Sequence, residues 1–215
     1  LRNAVSKMGI KVAGPDVNAS ESGFTWENNA VRFGLLAVKN IGRGLINDII
    51  AGRESGGKYI NFTDFCRRVF GRELNKRTLE ALIKSGALDS LGSNRRSMLS
   101  GYENLLSNID AEKKRNLSGQ MSLFGGMDDS PNREESLPNL PDFTLRERLN
   151  MEKETTGLYL SGHPMDDYRP LLRGMDVVPI GEILECFENG EDTYQDEQIV
   201  NIAGIVEAVK MKTTR

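Results

Sequence analysis

The sequence of 215 residues predicts a mainly α-helical protein with a short β-hairpin near its beginning, a polar linker and β-strands at its end. Three observations lead to this prediction. Apolar residues recur at three- and four-residue spacing between positions 35 and 109, as in amphipathic helices. Before that region, apolar residues alternate with polar residues on both sides of an asparagine pair. Between positions 112 and 141 the periodicity disappears and Gly, Ser, Asp, Asn and Pro prevail.

The β-hairpin is predicted for residues 24–33. Phe24 and Trp26 precede the asparagine pair, and Val31 and Phe33 follow it with the same alternation. Asparagine tolerates a positive φ, so two adjacent asparagines suit a two-residue hairpin turn.

The helices that follow are short and have recognisable ends. Polar and glycine residues mark these ends: Thr63 and Asn75 as N-caps, Gly86 at a C-terminus, and Ser93 or Asn94 before the next helix. Further along, Thr144 and Glu147 form a capping-box pattern, and the apolar stripe after them ends near Gly157. The final stretch, residues 198–209, alternates and is rich in Val and Ile, which is typical of strands.

Charge is segregated along the chain, although the net charge is only −3. Residues 31–100 hold 13 Lys or Arg against 6 Asp or Glu, a net +7, whereas residues 111–200 hold 9 against 19, a net −10. Solubility needs no such segregation, so the basic block is expected to face a polyanion. The alternative is a drift of charge with no partner.

A turn within residues 33–50 has the pattern of a helix-hairpin-helix motif: an apolar residue, Gly-x-Gly, then an amphipathic helix. Ile41 would fill the space between the helices, and the two glycines would bring backbone N–H groups against a DNA phosphate. Such a contact ignores the base sequence. The candidate DNA-binding residues are Lys39, Asn40, Ile41, Gly42, Arg43 and Gly44. A tight helix-helix turn without a ligand is the alternative.

A second, weaker copy of this motif is predicted at residues 74–92, where Ser85-Gly86-Ala87 would form the hairpin. The Gly-x-Gly is absent there. The candidate DNA-binding residues of this copy are Lys76, Arg77, Lys84, Ser85 and Gly86. An ordinary helix that ends in a glycine cap explains the same residues.

A small apolar cluster stands alone in the polar linker, within residues 119–125. The linker is too polar to bury Leu123 and Phe124, so a pocket on another molecule is expected to bury them. The predicted docking peptide consists of Gln120, Met121, Ser122, Leu123 and Phe124. The alternative is that the cluster folds back on its own domain.

The segments RFGLLAVKNIGRG, LNKRTLEALIKSGALDSLG, SGQMSLFG and GLYLSGHPM occur in an order that resembles the alpha subunits of bacterial DNA polymerase III. The resemblance covers nearly the whole chain. It implies five regions: the end of the fingers with the β-hairpin (1–30), a helix-hairpin-helix DNA-binding and clamp-binding domain (31–110), a linker with the clamp-binding peptide (111–141), a helical connector with a Ser-Gly-His-Pro turn (142–190), and the start of an OB-fold domain cut from a longer chain (191–215).

The same resemblance implies a non-catalytic part of a DNA-directed DNA polymerase, a nucleotidyltransferase. The implied partners are double-stranded DNA, the sliding clamp (beta subunit) and other replicase subunits. No cofactor is expected in this segment, because the Mg²⁺ of that family belongs to palm aspartates that precede it. No signal peptide or membrane span is visible, so a cytoplasmic location is expected.

The sequence gives little support for a catalytic site or a metal-binding site. Cys66 and Cys186 are too isolated for a disulfide framework or a zinc site, and His163, the only histidine, has no partner for catalysis and is expected in a structural turn. A helix-hairpin-helix glycosylase or nuclease is the enzyme alternative: Asp64 stands at the right distance but lacks the usual preceding Gly-Pro. A protein-only scaffold would leave the +7 block unexplained.

Overall fold

The computed structural model describes residues 10–117, 137–206 and 209–211. These residues are mainly helical, which confirms the predicted fold class. The chain divides into two compact units, Leu1–Ser161 and Gly162–Arg215. The described strands are β1 (Lys11–Ala13), β2 (Thr25–Glu27) and β3 (Ala30–Arg32), and the described helices are α1 (Arg43–Gly56), α2 (Phe62–Val69), α3 (Lys76–Ser85), α4 (Arg95–Leu117), α5 (Leu145–Thr156), α6 (Arg169–Leu172) and α7 (Ile180–Asn189), with 3₁₀ turns at Leu35–Ala37 and Asp89–Leu91.

The predicted β-hairpin is confirmed. β2 and β3 pair antiparallel with Trp26 opposite Val31, and the two residues between the strands, Asn28 and Asn29, have φ values of 48° and 59°. β1 adds a third strand, parallel to β3, with Val12 opposite Val31. The sequence does not indicate β1, since a strand of three residues is too short to show alternation.

Local capping determines where the helices begin and end. Asn75 and Thr78 form a reciprocal capping box at α3, and Gly86 ends that helix in the left-handed conformation at φ 83°. Asn94 caps α4 through the N–H of Ser97, at 2.8 Å. The prediction of Thr63 as an N-cap is wrong: α2 begins two residues earlier than expected, because the side chain of Asn61 accepts the N–H of Asp64.

The hydrophobic core lies among α1 to α4 and the two 3₁₀ turns. Each large side chain removed from water there contributes about 1.5–3 kcal/mol. Tyr59 and Phe65 meet edge to face with ring centroids 5.0 Å apart, and the Tyr59 hydroxyl donates to the Ile49 carbonyl at 2.8 Å. The largest fully buried side chains of this core are Phe62, Phe65, Leu35, Leu45, Ile46, Ile49, Leu79, Leu82, Ile83, Leu88 and Met98.

The linker predicted from residue 111 begins later, because α4 continues to Leu117. Contacts of charged side chains stabilise this polar last part of the helix. Lys114 pairs with Asp110 at 2.6 Å, and Lys113 donates to the Phe70 carbonyl at 2.9 Å while its ammonium lies over the Phe70 ring. Helix α4 therefore reaches seven residues into the region that composition alone assigned to a linker.

The described end of the predicted linker is held against α4. The Asn94 amide donates to the Leu140 carbonyl at 2.7 Å, and the N–H of Leu140 donates to the Ser97 hydroxyl at 3.2 Å. Leu137 packs over Gly101, where an added Cβ would come within 2.6 Å of a Leu137 methyl carbon. Helix α5 then packs on α3, so it belongs to the first unit and not to a separate connector.

The second unit contains α6 and α7. The three apolar residues Ile180, Leu184 and Phe187 of α7 are about half exposed. The described residues of the predicted OB start, 191–206 and 209–211, form no strand. One backbone hydrogen bond joins this segment to the residues before α7, from Val178 to the Asn201 carbonyl at 2.9 Å. The OB strands therefore stay a prediction.

Candidate nucleic-acid interface

Residues 38–44, which we call the elbow, connect the Leu35–Ala37 3₁₀ turn to α1. The sequence predicts a helix before this turn, and the structure has only the single 3₁₀ turn. The backbone explains the difference: Val38 is extended, with ψ 124°, and the N–H of Lys39 donates to the Thr155 carbonyl instead of to the Leu35 carbonyl, so the turn does not continue as a helix. Within the elbow Asn40 takes φ 66°, the left-handed conformation that asparagine tolerates.

Ile41 anchors the elbow in the protein. Its side chain is only 7% exposed and joins the core, as the sequence predicts for the residue that fills the space beside α1. The next three residues, Gly42, Arg43 and Gly44, are exposed, and α1 turns its apolar residues inward again from Leu45. The buried side chain of Ile41 therefore fixes the position of the three exposed residues that follow it.

The N-terminus of α1 is open. Gly42 is its N-cap, and no side chain accepts a hydrogen bond from the N–H groups of the first turn. A Cβ added at Gly42 would meet nothing within 4 Å, and the φ of −90° suits any residue. The fold of the described residues therefore does not require glycine at this position. Free N–H groups and the positive end of the helix dipole together favour an anion.

Gly44 has a different role, because it lies against the loop between α2 and α3. A Cβ at Gly44 would come within 3.0 Å of the Glu73 carboxyl carbon and 3.1 Å of the carboxylate oxygen Oε2. Glycine there allows the Glu73 side chain to pass over the first turn of α1. The elbow and the loop at Glu73 are thus in direct contact.

Lys39 contacts the end of α5. Its N–H donates to the Thr155 carbonyl and its ammonium to the Glu154 carbonyl, each at 2.8 Å. A cation at the C-terminus of a helix satisfies carbonyls that lack partners within the helix. Lys39 therefore attaches the elbow to α5, and its contact with DNA stays a prediction.

The second predicted hairpin has the geometry of an ordinary helix end. Ser85 is 1% exposed and donates to the Leu82 carbonyl at 3.0 Å, and Gly86 is the left-handed cap of α3. These two residues line a polar recess of about 270 Å³ that also contains the carboxylates of Asp16, Asp89 and Glu152. Arg32 and Arg95 also line the recess, but they pair with Glu27 and with Asp89 and Glu152, so the recess offers a phosphate no unpaired cation. Contact of this turn with DNA stays a prediction and is left out of the interface proposed below.

Most cations of the basic block are bound to other groups of the protein. Among its candidates, Lys76 pairs with Glu103 at 2.9 Å and Lys84 with Glu80 at 2.9 Å. Lys84 also approaches Glu154, and hydrogen bonding to Glu80 raises the pKa of Lys84. Of the 13 Lys and Arg in residues 31–100, nine make ion pairs, hydrogen bonds or ring contacts. The four with no such partner among the described residues are Arg43, Lys58, Arg72 and Arg77.

A buried ion-pair network joins α4 to the segment after α5. Arg95 is 2% exposed and pairs with Asp89 at 2.7 Å and with Glu152 at 3.0 Å. The fully buried Glu152 carboxylate also accepts the N–H groups of Leu160 and Ser161, each at 2.8 Å, and the Ser161 hydroxyl. Burial acts to raise the pKa of Glu152, but the hydrogen bonds from Ser161 and Leu160 and the charge of Arg95 outweigh it and lower the pKa. The sequence analysis missed this network.

The remaining candidates for chemistry are structural in the described part of the chain. Cys66 and Cys186 are free and buried, and burial raises the pKa of the Cys66 thiol. His163 accepts the N–H of Met165 at 3.1 Å within a local turn. In that turn the N–H of His163 donates to Asp166 and lowers the pKa of that carboxyl. The described residues contain no group of His, Cys, Asp and Glu suited to a metal ion.

The docking peptide Gln120–Phe124 lies outside the described residues. The described residues include no helix with the length and apolarity needed to span a bilayer.

The enzyme alternative depends on Asp64, and the structure places this residue away from the elbow. Asp64 pairs with Arg68 at 3.2 Å, and Arg68 donates to the carbonyls of Gly52 and Gly57 at the C-terminal end of α1. The elbow is at the opposite end of that helix. Asp64 is therefore held by Arg68 near the C-terminal end of α1 and away from the elbow.

Comparison with known families defines the class of this region. The family described as "Helix-hairpin-helix motif" matches residues 9–98, which include the elbow, α1, α2 and α3. Residues 9–98 therefore form a helix-hairpin-helix domain, as the turn pattern predicts.

Nearly the whole chain is similar to proteins named DNA polymerase III subunit alpha. It is 37% identical over 97% of its length to that protein of Saccharopolyspora erythraea, 32% identical over 100% of its length to that of Vibrio cholerae, and 33% identical over 97% to that of Borreliella burgdorferi. Each alignment covers 18% of the relative, so the chain corresponds to about a fifth of these proteins. The resemblance seen in the sequence is confirmed.

Proposed function

We propose that this chain is a non-catalytic, DNA-binding part of a bacterial replicative DNA polymerase that also attaches the polymerase to the sliding clamp. The observation that carries the DNA-binding proposal is the open N-terminus of α1 at Gly42, within a helix-hairpin-helix domain and beside Arg43, which has no partner among the described residues. Because the relatives are named as DNA polymerase III alpha subunits, we assign the DNA contact to DNA synthesis in replication and the chain to the cytoplasm, where the bacterial chromosome lies.

The chemistry of the elbow favours phosphate over base contact. Backbone N–H groups and the helix dipole recognise the charge of a phosphate and carry no information on sequence. Arg43 adds a cation at the same place. Binding to duplex DNA is therefore expected to be independent of sequence and to weaken steeply as salt is added.

Replacement of Gly42 tests the elbow. Valine fits the extended backbone at this position and meets no atom of the described residues, so Gly42→Val is expected to fold normally while its side chain covers the N–H groups. A lost hydrogen bond to a charged group costs about 1.5–3 kcal/mol, which corresponds to roughly 10- to 100-fold weaker binding. Fluorescence anisotropy with two unrelated labelled duplexes measures the change.

Gly23 offers a matched control, because it is also exposed and a Cβ there would also meet nothing within 4 Å. Gly23→Val should leave the affinity unchanged. Equal affinities of Gly42→Val and the wild type, or a loss that depends on the DNA sequence, would contradict phosphate contact at the elbow.

The clamp-binding proposal rests on the sequence of the peptide. Burial of Leu123 and Phe124 in a pocket contributes about 3–6 kcal/mol before the cost of ordering the linker, which predicts a weak and exchangeable contact. The triple substitution of Gln120, Leu123 and Phe124 by Ala should abolish binding to purified sliding clamp in surface plasmon resonance. Ser122→Ala, inside the same peptide, should not. Simultaneous loss of DNA binding in the triple variant would show that the peptide supports the fold instead.

The proposal assigns no nucleotide transfer to this chain. The resemblance places the metal-binding aspartates of the polymerase palm before this segment, so the isolated chain lacks the groups that activate a primer 3′-hydroxyl. A primer-extension assay with Mg²⁺ and all four deoxynucleotides should give no product. Extension by the purified chain, free of contaminating polymerase, would refute this part of the proposal.

A further inference from the structure

A second group of cations lies beside the elbow. Arg72 is in the loop between α2 and α3, and Arg77 is in the first turn of α3; both are exposed. Neither forms an ion pair or a hydrogen bond with the residues that the structure describes. Arg43, at the start of α1, is likewise exposed and has no such partner among the described residues. We call these three residues the arginine patch.

The contacts of Glu73 show that the three arginines lie near one another. Its side chain passes over Gly44, the residue after Arg43, and its backbone carbonyl accepts the hydroxyl of Thr78, the residue after Arg77, at 3.2 Å. Arg72 precedes Glu73 in the chain, and adjacent Cα atoms are about 3.8 Å apart. Arg72 is therefore adjacent in the chain to Glu73, and Arg43 and Arg77 are each adjacent to a residue that Glu73 contacts.

The fold leaves the patch available for an external anion. Lys76, in the same helix turn as Arg77, is paired with Glu103, and the capping box of Asn75 and Thr78 uses N–H groups at the start of α3. A ligand that approaches this side of the elbow therefore meets guanidinium groups and not backbone N–H groups. A guanidinium matches the geometry of a phosphate well, because it can donate two parallel hydrogen bonds.

We infer that Arg72 and Arg77 contact the phosphate backbone of duplex DNA next to the phosphate bound at the elbow. This inference rests on the proposed function. A duplex presents phosphates in a regular row, so a protein that holds one of them at Gly42–Gly44 brings the neighbouring ones within reach of cations beside the elbow. Glu73 opposes this contact, because its carboxylate lies over Gly44, the residue after Arg43, and repels phosphate.

The salt dependence of binding measures the number of phosphates contacted. Each lost contact lowers the slope of log K against log salt by about 0.9. We expect Arg72→Ala and Arg77→Ala each to lower the slope by about this amount, and the double variant by about 1.8. If the curves converge at 1 M salt, the double variant binds roughly 60-fold more weakly at 0.1 M.

Lys58 provides a matched control, because it is also exposed and unpaired among the described residues. It follows the C-terminal end of α1, whose 14 residues span roughly 21 Å from the elbow. Lys58→Ala should leave the slope unchanged. Glu73→Gln keeps the volume of the side chain over Gly44 and removes its charge, so this variant should bind duplex DNA more tightly than the wild type.

The experiment uses the full chain, a short fluorescein-labelled duplex and anisotropy titrations at several salt concentrations, with circular dichroism to verify the helical content of each variant. Unchanged slopes in Arg72→Ala and Arg77→Ala, with salt-sensitive binding by the wild type, would overturn the inference and leave the elbow proposal intact. Weaker binding by Glu73→Gln would also overturn it. Absence of salt-sensitive binding by the wild type would refute the proposed function itself.

Discussion

Removal of the Glu152 carboxylate is expected to destabilise the first unit strongly. In Glu152→Ala, Arg95 stays buried with Asp89 as its one remaining ion-pair partner, and the N–H groups of Leu160 and Ser161 lose their acceptor. The loss of one partner of a buried ion pair costs about 3–5 kcal/mol, because the other charge stays out of water. This is a large part of the 5–15 kcal/mol that is typical of a folded domain.

Urea unfolding followed by far-ultraviolet circular dichroism measures this loss through the shift of the midpoint and the slope of the transition. Glu154→Ala is the control, because Glu154 is exposed and lies 3.6 Å from Lys84; it should cost less than about 1 kcal/mol. Replacement of both Arg95 and Glu152 by Met should cost less than Glu152→Ala alone, since no buried charge is left unpaired.

The pH dependence gives a second, independent measure. The folded-state pKa of Glu152 is lowered below its ordinary value of 4.5, so its contribution to stability is present above pH 4.5 and is lost as the pH falls through the folded-state pKa. The difference in stability between the wild type and Glu152→Gln should therefore shrink in that acidic range. If Glu152→Ala loses no more stability than Glu154→Ala, or if the difference does not change with pH, the reasoning on the buried network is wrong.

Two further predictions concern helix ends and packing. Asn75→Ala removes the capping box of α3 and should cost about 1 kcal/mol in the same urea assay, whereas Ala at the exposed Asn47 in the middle of α1 should change stability by less than about 0.5 kcal/mol. Gly52→Ala in α1 should destabilise by about 1–3 kcal/mol, although Ala is the better helix former, because its Cβ would come within 2.2 Å of the buried Tyr59 hydroxyl. Addition of Tyr59→Phe should reduce the loss of Gly52→Ala, and a loss that stays the same would contradict this explanation.

The parts of the fold that the sequence predicts correctly depend on local interactions. The asparagine pair between β2 and β3, the capping box at Asn75 and the glycine end of α3 each involve residues within a few positions of one another. Their backbone preferences are the same in any context, so the pattern alone indicates them. The burial of Ile41 follows in the same way from its position before an amphipathic helix.

The parts that the sequence does not reveal depend on distant residues. Glu152 and Arg95 are 57 positions apart, and the contact of Lys39 with the Glu154 carbonyl spans 115 positions. A count of charged residues does not show which of them are paired within the protein. For residues 31–100 it therefore overstates the positive charge that is free to meet a polyanion. The position of Arg72 illustrates this point, because only the contact between Glu73 and Gly44 shows that Arg72 lies near the elbow.

Helix α5 connects the stability of the first unit to the position of the elbow. Its last carbonyls hold Lys39, and one turn earlier Glu152 holds Arg95. Lys39 is adjacent to Asn40, whose left-handed conformation directs the chain into the exposed glycines. Lys39, a residue that sequence reasoning assigns to DNA, thus also helps to fix where the N-terminus of α1 lies. We expect the elbow to present its N–H groups to a phosphate without rearrangement, because two of its own residues, Lys39 on α5 and Ile41 in the core, fix it on the two sides of Asn40.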